Sequence, residues 1–184
     1  PQGRNQNEKP PRPGDKPEDM THLSATELVR KDHPRIALRG KLDSLEADIL
    51  LLQIEAAKLH SPAMKSRLGE ALDLVRRMIA TDFQQAPLGE WTLDGMTPAE
   101  VRAASHNPRR YLPEGHMPPR AEHGELAARL NRLRTSAREA ELQAVAAYTP
   151  PYAAGCQERI LALNRLSSYF YVLQLQAIVA SGEE

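Results

Sequence analysis

Four long stretches of this chain repeat apolar residues at steps of three and four, and that spacing restricts the fold more than any other feature. The first, from Ile36 to Leu59, carries Leu38, Leu42, Leu45, Ile49, Leu52 and Ala56 on one helical face. Ser61 and Pro62 then supply an N-cap and an opening proline, and Met64, Leu68, Ala71, Leu72, Val75 and Ile79 continue a second helix to about Asp82. The two should form a hairpin. Thr97, Pro98 and Glu100 spell a capping box for a short helix ending by Ser105. Leu126, Leu130, Leu133, Ala137, Ala140 and Ala144 mark a third long helix, closed by Pro150 and Pro151. The fourth runs from about Gln157 to Ala180, with Ile160, Leu163, Leu166, Phe170, Leu173 and Ala177 on its stripe and Gly182 at its stop. No strand pattern is convincing, so the expected fold is all-α, a helical bundle of four to five long helices.

With 184 residues, one hydrophobic core is expected, in a bundle domain over 20–184. Residues 1–19 are rich in proline, amide and charge and lack periodicity; they are expected to be a mobile linker, or a cut inside a longer chain, since the sequence starts at Pro1. Lys plus Arg and Asp plus Glu both number 24, which leaves no global charge to draw nucleic acid or an anionic membrane. Any anion site must be local. The single cysteine, Cys156, excludes an intrachain disulfide and a multi-thiolate zinc site and fits a reducing, cytoplasmic location. Neither a signal peptide nor a membrane span is found.

Several polar groups could carry chemistry, and each also fits an ordinary role. Arg30, Lys31, Arg35, Arg39 and Lys41 gather where a loop enters the first helix, a place suited to polyphosphate or simply a solvated charged surface. Arg134, Arg138 and Glu141 fall at i, i+4 and i+7, either facing one ligand or forming a surface ladder. Asp43, next to the apolar Leu42, should need a cationic partner if its edge is buried, and none if it faces solvent. Asn164, Ser168 and Tyr171 form a polar strip that could read a nucleoside or join two helices. Residues 106–121, with four prolines and Arg109, Arg110 and Tyr111 among them, look like a lid or clamp. The six histidines, His22, His33, His60, His106, His116 and His123, lack zinc-site spacing, and no Walker loop, dinucleotide fingerprint or nucleophile elbow is present.

The strings VRKDHPRIALRGKLDSLEADILLLQ (29–53), LNRLRTSAREAEL (130–142) and ALNRLSSYFYVL (162–173) resemble the ATP:corrinoid adenosyltransferases. The propanediol-utilisation type of that family carries VxKDDxR leading to GxxDEL, then RTxxRRAE, then LNRLSD. The counterparts here are Val29 to Arg35, Gly40 to Leu45, Arg134 to Glu141 and Leu163 to Ser168, in the same order. MTHL, SRLG, SHNPRRYL and GHMPPRAEHGELAARLNRLRT are similar to the ethanolamine-utilisation branch in particular. That branch often has a His and Cys metal-binding motif upstream of MTHL; here the single cysteine lies elsewhere. The family's Gly-rich phosphate loop has a counterpart only in Arg12, Gly14, Asp15 and Lys16.

The resemblance implies transfer of the 5′-deoxyadenosyl group of ATP to Co(I) of a reduced cobalamin, with Mg²⁺ and release of triphosphate, in the supply of ethanolamine ammonia-lyase. It implies Lys31 on the phosphates, Arg138 and Glu141 at the ATP site, Asn164 beside the nucleoside, and an Asp43–Arg134 interhelix salt bridge, so that Asp43, Arg134 and Arg138 serve catalysis. It also implies a reductase or other electron donor, a homo-oligomer with a trimer favoured and ATP between subunits, and a cytoplasmic setting in association with a bacterial microcompartment. A non-catalytic corrinoid carrier or sensor on the same scaffold is the alternative, and a purely structural bundle the third.

Overall fold

The computed structural model describes residues 16–58 and 61–182. Its long helices are α1 (Pro34–Lys58), α2 (Pro62–Gln84), α4 (Gly124–Ala147) and α5 (Cys156–Gly182), with the short α3 (Pro98–Ser105) between the two pairs. α1 packs on α2 and on α4, α4 packs most extensively on α5, and α5 makes a lighter contact with α2, which closes a four-helix ring. α3 lies against α5 outside that ring. The architecture is the expected all-α bundle.

The core consists of the stripes that the spacing picks out. Leu38, Leu42, Leu45, Ile49, Leu52 and Ala56 of α1 are all buried, as are Leu130, Leu133, Ala137, Ala140 and Ala144 of α4. Leu163, Leu166, Phe170 and Leu173 of α5 meet them. Each fully buried leucine or phenylalanine contributes about 2 kcal/mol over its exposed state. The alanines of α4 keep side-chain volume small where α4 meets α1 and α5, which lets those axes approach closely.

Helix ends follow local chemistry, with one departure. Thr97 and Glu100 form the expected capping box: Thr97 N–H donates to Glu100 Oε2 at 2.8 Å, and Glu100 N–H donates to Thr97 Oγ1 at 3.4 Å. Ser61 precedes α2, but its hydroxyl makes no cap bond; its carbonyl accepts from Lys65 N–H at 3.0 Å instead. His33 caps α1, its Nδ1 accepting from Arg35 N–H at 3.2 Å.

A small antiparallel hairpin, β1 (Met20–His22) and β2 (Leu28–Arg30), stands before α1, in register Met20↔Arg30, Thr21↔Val29 and His22↔Leu28. The sequence shows no such strands, because three residues are too few for alternation to register. Ser24 closes the turn, its hydroxyl accepting from Glu27 N–H at 3.2 Å, and Leu23 beside it is buried. The linker expected over 1–19 lies almost wholly outside the described residues.

The α4–α5 connection returns tightly against the end of α2. Arg159, 2% exposed, donates to Ala86 O at 2.6 Å and to Ala154 O at 3.2 Å. Gly155 sits inside this contact at φ +77°, where a Cβ would stand 2.7 Å from Ala86 O and 2.9 Å from Arg159 Nη1. Both the backbone angle and the space therefore require glycine. Gly155→Ala is expected to cost about 2 kcal/mol, read as a lower urea midpoint with unchanged slope. Cys156, next in the chain, is buried, and burial pushes its thiol up, in keeping with a packing role.

Candidate functional site

The polar positions of α4 and α5 converge on one edge of their interface. Asn164 Nδ2 donates to Glu141 Oε1 at 2.9 Å, and Arg165 Nη1 donates to Asn164 Oδ1. A carboxylate only accepts and a guanidinium only donates, so the two neighbours fix which end of the amide faces each. Arg165 is held in turn by Pro98 O at 3.0 Å, which ties this triad to the start of α3. The i+7 spacing of Glu141 from Arg134 continues the same edge of α4 toward its middle.

There a cavity of about 190 Å³ is lined by Ser105, His116, Arg134, Arg138, Ser167, Ser168 and Tyr171. The loop over 106–123 folds against α5, with Leu112 buried and Tyr111 and Met117 packed on the core. It delivers His116, whose Nδ1 lies 2.8 Å from Tyr171 Oη. Arg134 Nε donates to Asn131 Oδ1 at 3.0 Å, a neutral partner, and Arg138 is exposed with no hydrogen bond or ion pair among the described residues. Burial, and then the charge of Arg138, lower the Arg134 pKa from the usual arginine value. Two guanidinium groups thus share a pocket in which no carboxylate neutralises either, the electrostatic form of an anion site. Burial likewise raises the Tyr171 phenol, opposed by Arg134.

A serine-lined pocket with two uncompensated arginines, beside an amide oriented by a carboxylate, has the chemistry of an anion site. The family model described as cobalamin adenosyltransferase matches residues 12–177. The chain belongs to the cobalamin adenosyltransferase family. It is 38% identical over 167 residues to the corrinoid adenosyltransferase EutT of Escherichia coli strain K12, and 37% identical to the EutT of Salmonella typhimurium strain LT2. Each match covers 89% of this chain and 60% of the relative, so the chain spans about three fifths of the length of these curated proteins.

Not every residue expected at the adenosyltransferase site is brought to the pocket. Arg134, Arg138, Glu141 and Asn164 share the α4/α5 edge. Lys31 is exposed in the turn between β2 and α1, and no contact joins it to that edge within one chain, among the described residues. The Asp43–Arg134 salt bridge is not formed within the chain. Asp43 is exposed, because one step beyond the buried Leu42 rotates it by about 100° toward solvent, which removes the desolvation that would demand a partner. The side of α4 that meets α1 is a different one: Lys41 Nζ donates to Glu139 Oε2 at 2.8 Å, and Gln143 Nε2 to Pro34 O at 3.2 Å.

The basic cluster also divides. Arg30 pairs with Asp19 at 2.7 Å and Asp32 at 3.2 Å, and Lys41 with Glu139. Arg35 and Arg39 turn inward onto Asp82, at 2.8 and 3.2 Å. Lys31 alone of the five has no ion pair among the described residues. Of the weak phosphate-loop counterpart, Arg12, Gly14 and Asp15 lie outside the described residues, as does His60. No cluster of three or more His, Cys, Asp or Glu side chains among the described residues could hold a metal, and no described helix is long and apolar enough to cross a membrane.

Sequence reasoning missed Asp82, Tyr148 and the contact between His116 and Tyr171. Asp82 reads in the sequence only as the end of a helix, and its partners stand 43, 47 and 66 residues away. Arg165 was legible in principle, since it sits inside the LNRLS string beside Asn164.

Proposed function

We propose that this chain transfers the 5′-deoxyadenosyl group of ATP to Co(I) of a reduced cobalamin, giving adenosylcobalamin and inorganic triphosphate. The observation that carries the reading is the pair of uncompensated arginines, Arg134 and Arg138, in an edge pocket of a chain in this family. The cobalt electron pair attacks the 5′ carbon, the carbon–oxygen bond breaks, and its electrons leave on triphosphate. No protein acid or base is required. The chain must hold the carbon in line with cobalt, with Lys31 binding the phosphates in bound ATP and transition state alike, and neutralise charge that builds on the departing oxygen, which Arg138 would do. Asn164, oriented by Glu141, would hold the nucleoside.

Mg²⁺ fits as an ion brought by the nucleotide, since the described residues hold no cluster to cage it and Mg²⁺ commonly binds one carboxylate plus substrate phosphates. Glu141 is the carboxylate at this edge, and the ion would offset phosphate charge. The separation of Lys31 from the Arg138 pocket in a single chain supports a homo-oligomer, a trimer in our reading, in which they meet across a subunit boundary. Exposed Leu142 and Val145 on α4, 70% and 55% accessible, favour a covered surface there. Asp43 and Arg134 would pair across the same boundary. The loop over 106–121 with Tyr111 is our assignment for the corrinoid side. A reductase or other donor would supply the electron, and the likeness of the MTHL and GHMPPRAEHG strings to the ethanolamine-utilisation branch supports a product used by ethanolamine ammonia-lyase, in the cytoplasm beside a microcompartment.

Spectroscopy of cob(II)alamin bound to the protein tests both ligands together. A four-coordinate Co(II) signal is expected with ATP and Mg²⁺ present and not without ATP. A corrinoid bound with no response to ATP would support the carrier reading instead.

A further inference from the structure

Asp82 is 1% exposed and does not line the α4/α5 pocket, yet its carboxylate gathers hydrogen bonds from three side chains. Its Oδ1 accepts from Arg35 Nη2 at 2.8 Å and from Tyr148 Oη at 2.9 Å, and its Oδ2 accepts from Arg39 Nη2 at 3.2 Å. α1, α2 and the residue that ends α4 are thereby joined at one carboxylate. Burial, and then the charge and hydrogen bond of Asp82, raise the Tyr148 phenol, which stays a neutral donor.

Arg39 carries this junction outward. Its Nη1 donates to His22 O at 3.0 Å and its Nη2 to Leu23 O, the two carbonyls where β1 turns toward β2. β1 pairs with β2 through Met20↔Arg30, and Lys31 N–H donates to Asp19 O at 2.8 Å. A continuous path of bonds therefore runs from Asp82 through Arg39 and the hairpin to the backbone of Lys31. Burying charge is an inefficient way to stabilise a bundle, because desolvation offsets much of the attraction. What a forked guanidinium adds over an apolar contact is direction: it fixes two carbonyls at once relative to a third group.

We infer that Asp82, acting through Arg39, is a positioning residue that sets the Lys31-bearing hairpin in place for the triphosphate of ATP. The inference rests on the assignment of Lys31 to the phosphates. It predicts a defect confined to phosphate binding rather than a general loss of activity. Arg35 and Tyr148 would keep the Asp82 carboxylate neutralised and satisfied when Arg39 is changed, so the link to the hairpin can be cut without orphaning the buried charge.

The test is titration of the full chain with inorganic triphosphate, alongside steady-state kinetics, for Arg39→Gln, Lys31→Ala and the double variant. Arg39→Gln is expected to weaken triphosphate binding and raise KM for ATP by about tenfold, leaving kcat and KM for the corrinoid within roughly twofold. In the Lys31→Ala background the same change should add nothing, and amide exchange at Leu23 and Lys31 should quicken in Arg39→Gln. An equal loss in both backgrounds would overturn the inference, since a merely structural role acts regardless of Lys31. Weak binding by Lys31→Ala with parental binding by Arg39→Gln would overturn it while leaving the Lys31 assignment standing; parental binding by Lys31→Ala would remove both. Should Arg39→Gln fail to fold, Arg39→Lys keeps a charge on Asp82 but cannot fork onto both carbonyls. It is expected to show the same ATP-specific loss, and parental triphosphate affinity in that variant would overturn the inference.

Discussion

Arg138→Ala is expected to lower kcat for adenosyl transfer by about a hundredfold or more, with the melting temperature unchanged. The two halves of that expectation come from one observation. Arg138 is exposed and makes no hydrogen bond or ion pair among the described residues, so its removal leaves no buried group unsatisfied. The same lack of partners leaves its whole charge available to a ligand, and in the proposed transfer charge grows on the departing triphosphate as the carbon–oxygen bond breaks. A donor placed there acts more strongly on the transition state than on bound ATP, so the loss should fall on kcat more than on KM. Stopped-flow or steady-state absorbance of the corrinoid reads the effect. Near-native kinetics would refute the assignment. Arg134→Ala should be less selective, because Arg134 is half-buried and bonded to Asn131, and some of its loss would appear in stability.

The largest effect on stability is expected at a residue outside the pocket. Asp82→Ala would leave Arg35 and Arg39, 14% and 16% exposed, facing each other without their shared carboxylate, and would strip the Tyr148 hydroxyl of its acceptor. Removing one partner of a buried pair typically costs about 3–5 kcal/mol, chiefly from the charge left unpaired. That is a large fraction of the stability of an ordinary domain, so the variant should be recovered poorly at 37 °C and show a urea midpoint far below the parent. A parental midpoint would mean that water reaches this network freely, contrary to the burial of Asp82. Comparison with Arg39→Gln separates the two roles: the alanine change at Asp82 orphans buried charge, whereas the change at Arg39 cuts the tie to the hairpin.

These two residues also mark where the sequence was informative and where it was not. The helices were legible because burial of one face imposes a repeat that survives in the letters: Leu38, Leu42, Leu45, Ile49, Leu52 and Ala56 are all buried, and so are five of the six residues named for α4. The same periodicity placed Arg134, Arg138 and Glu141 on one edge, and Asn164 on α5 meets that edge as a helical spacing allows. Adjacency to Leu42 left Asp43 open between a buried and a solvent-facing edge, and within the chain it is exposed. On a helix the next residue points about 100° away, so standing beside Leu42 says little about burial. Arg35 and Arg39 were read with Lys31 as one basic group, yet helical phase turns two of them onto Asp82 and leaves Lys31 outside. Nothing near Asp82 in the sequence signals partners contributed by α1 and by the residue after α4. The hairpin escaped notice because its strands are three residues each and its turn is closed by a side chain, Ser24, rather than by glycine. The Lys31–Arg138 separation follows from topology, since α4 stands between the α1 side and the α5 side of the ring.

The most direct measurement of the central claim is single-turnover incubation of the protein with cob(I)alamin generated by a strong reductant, ATP and Mg²⁺, with both products quantified. Adenosylcobalamin and inorganic triphosphate are predicted to appear in equal amounts, at a rate that falls with Arg138→Ala. Release of monophosphate or diphosphate in place of triphosphate, or no adenosylcobalamin above the protein-free control, would contradict the account.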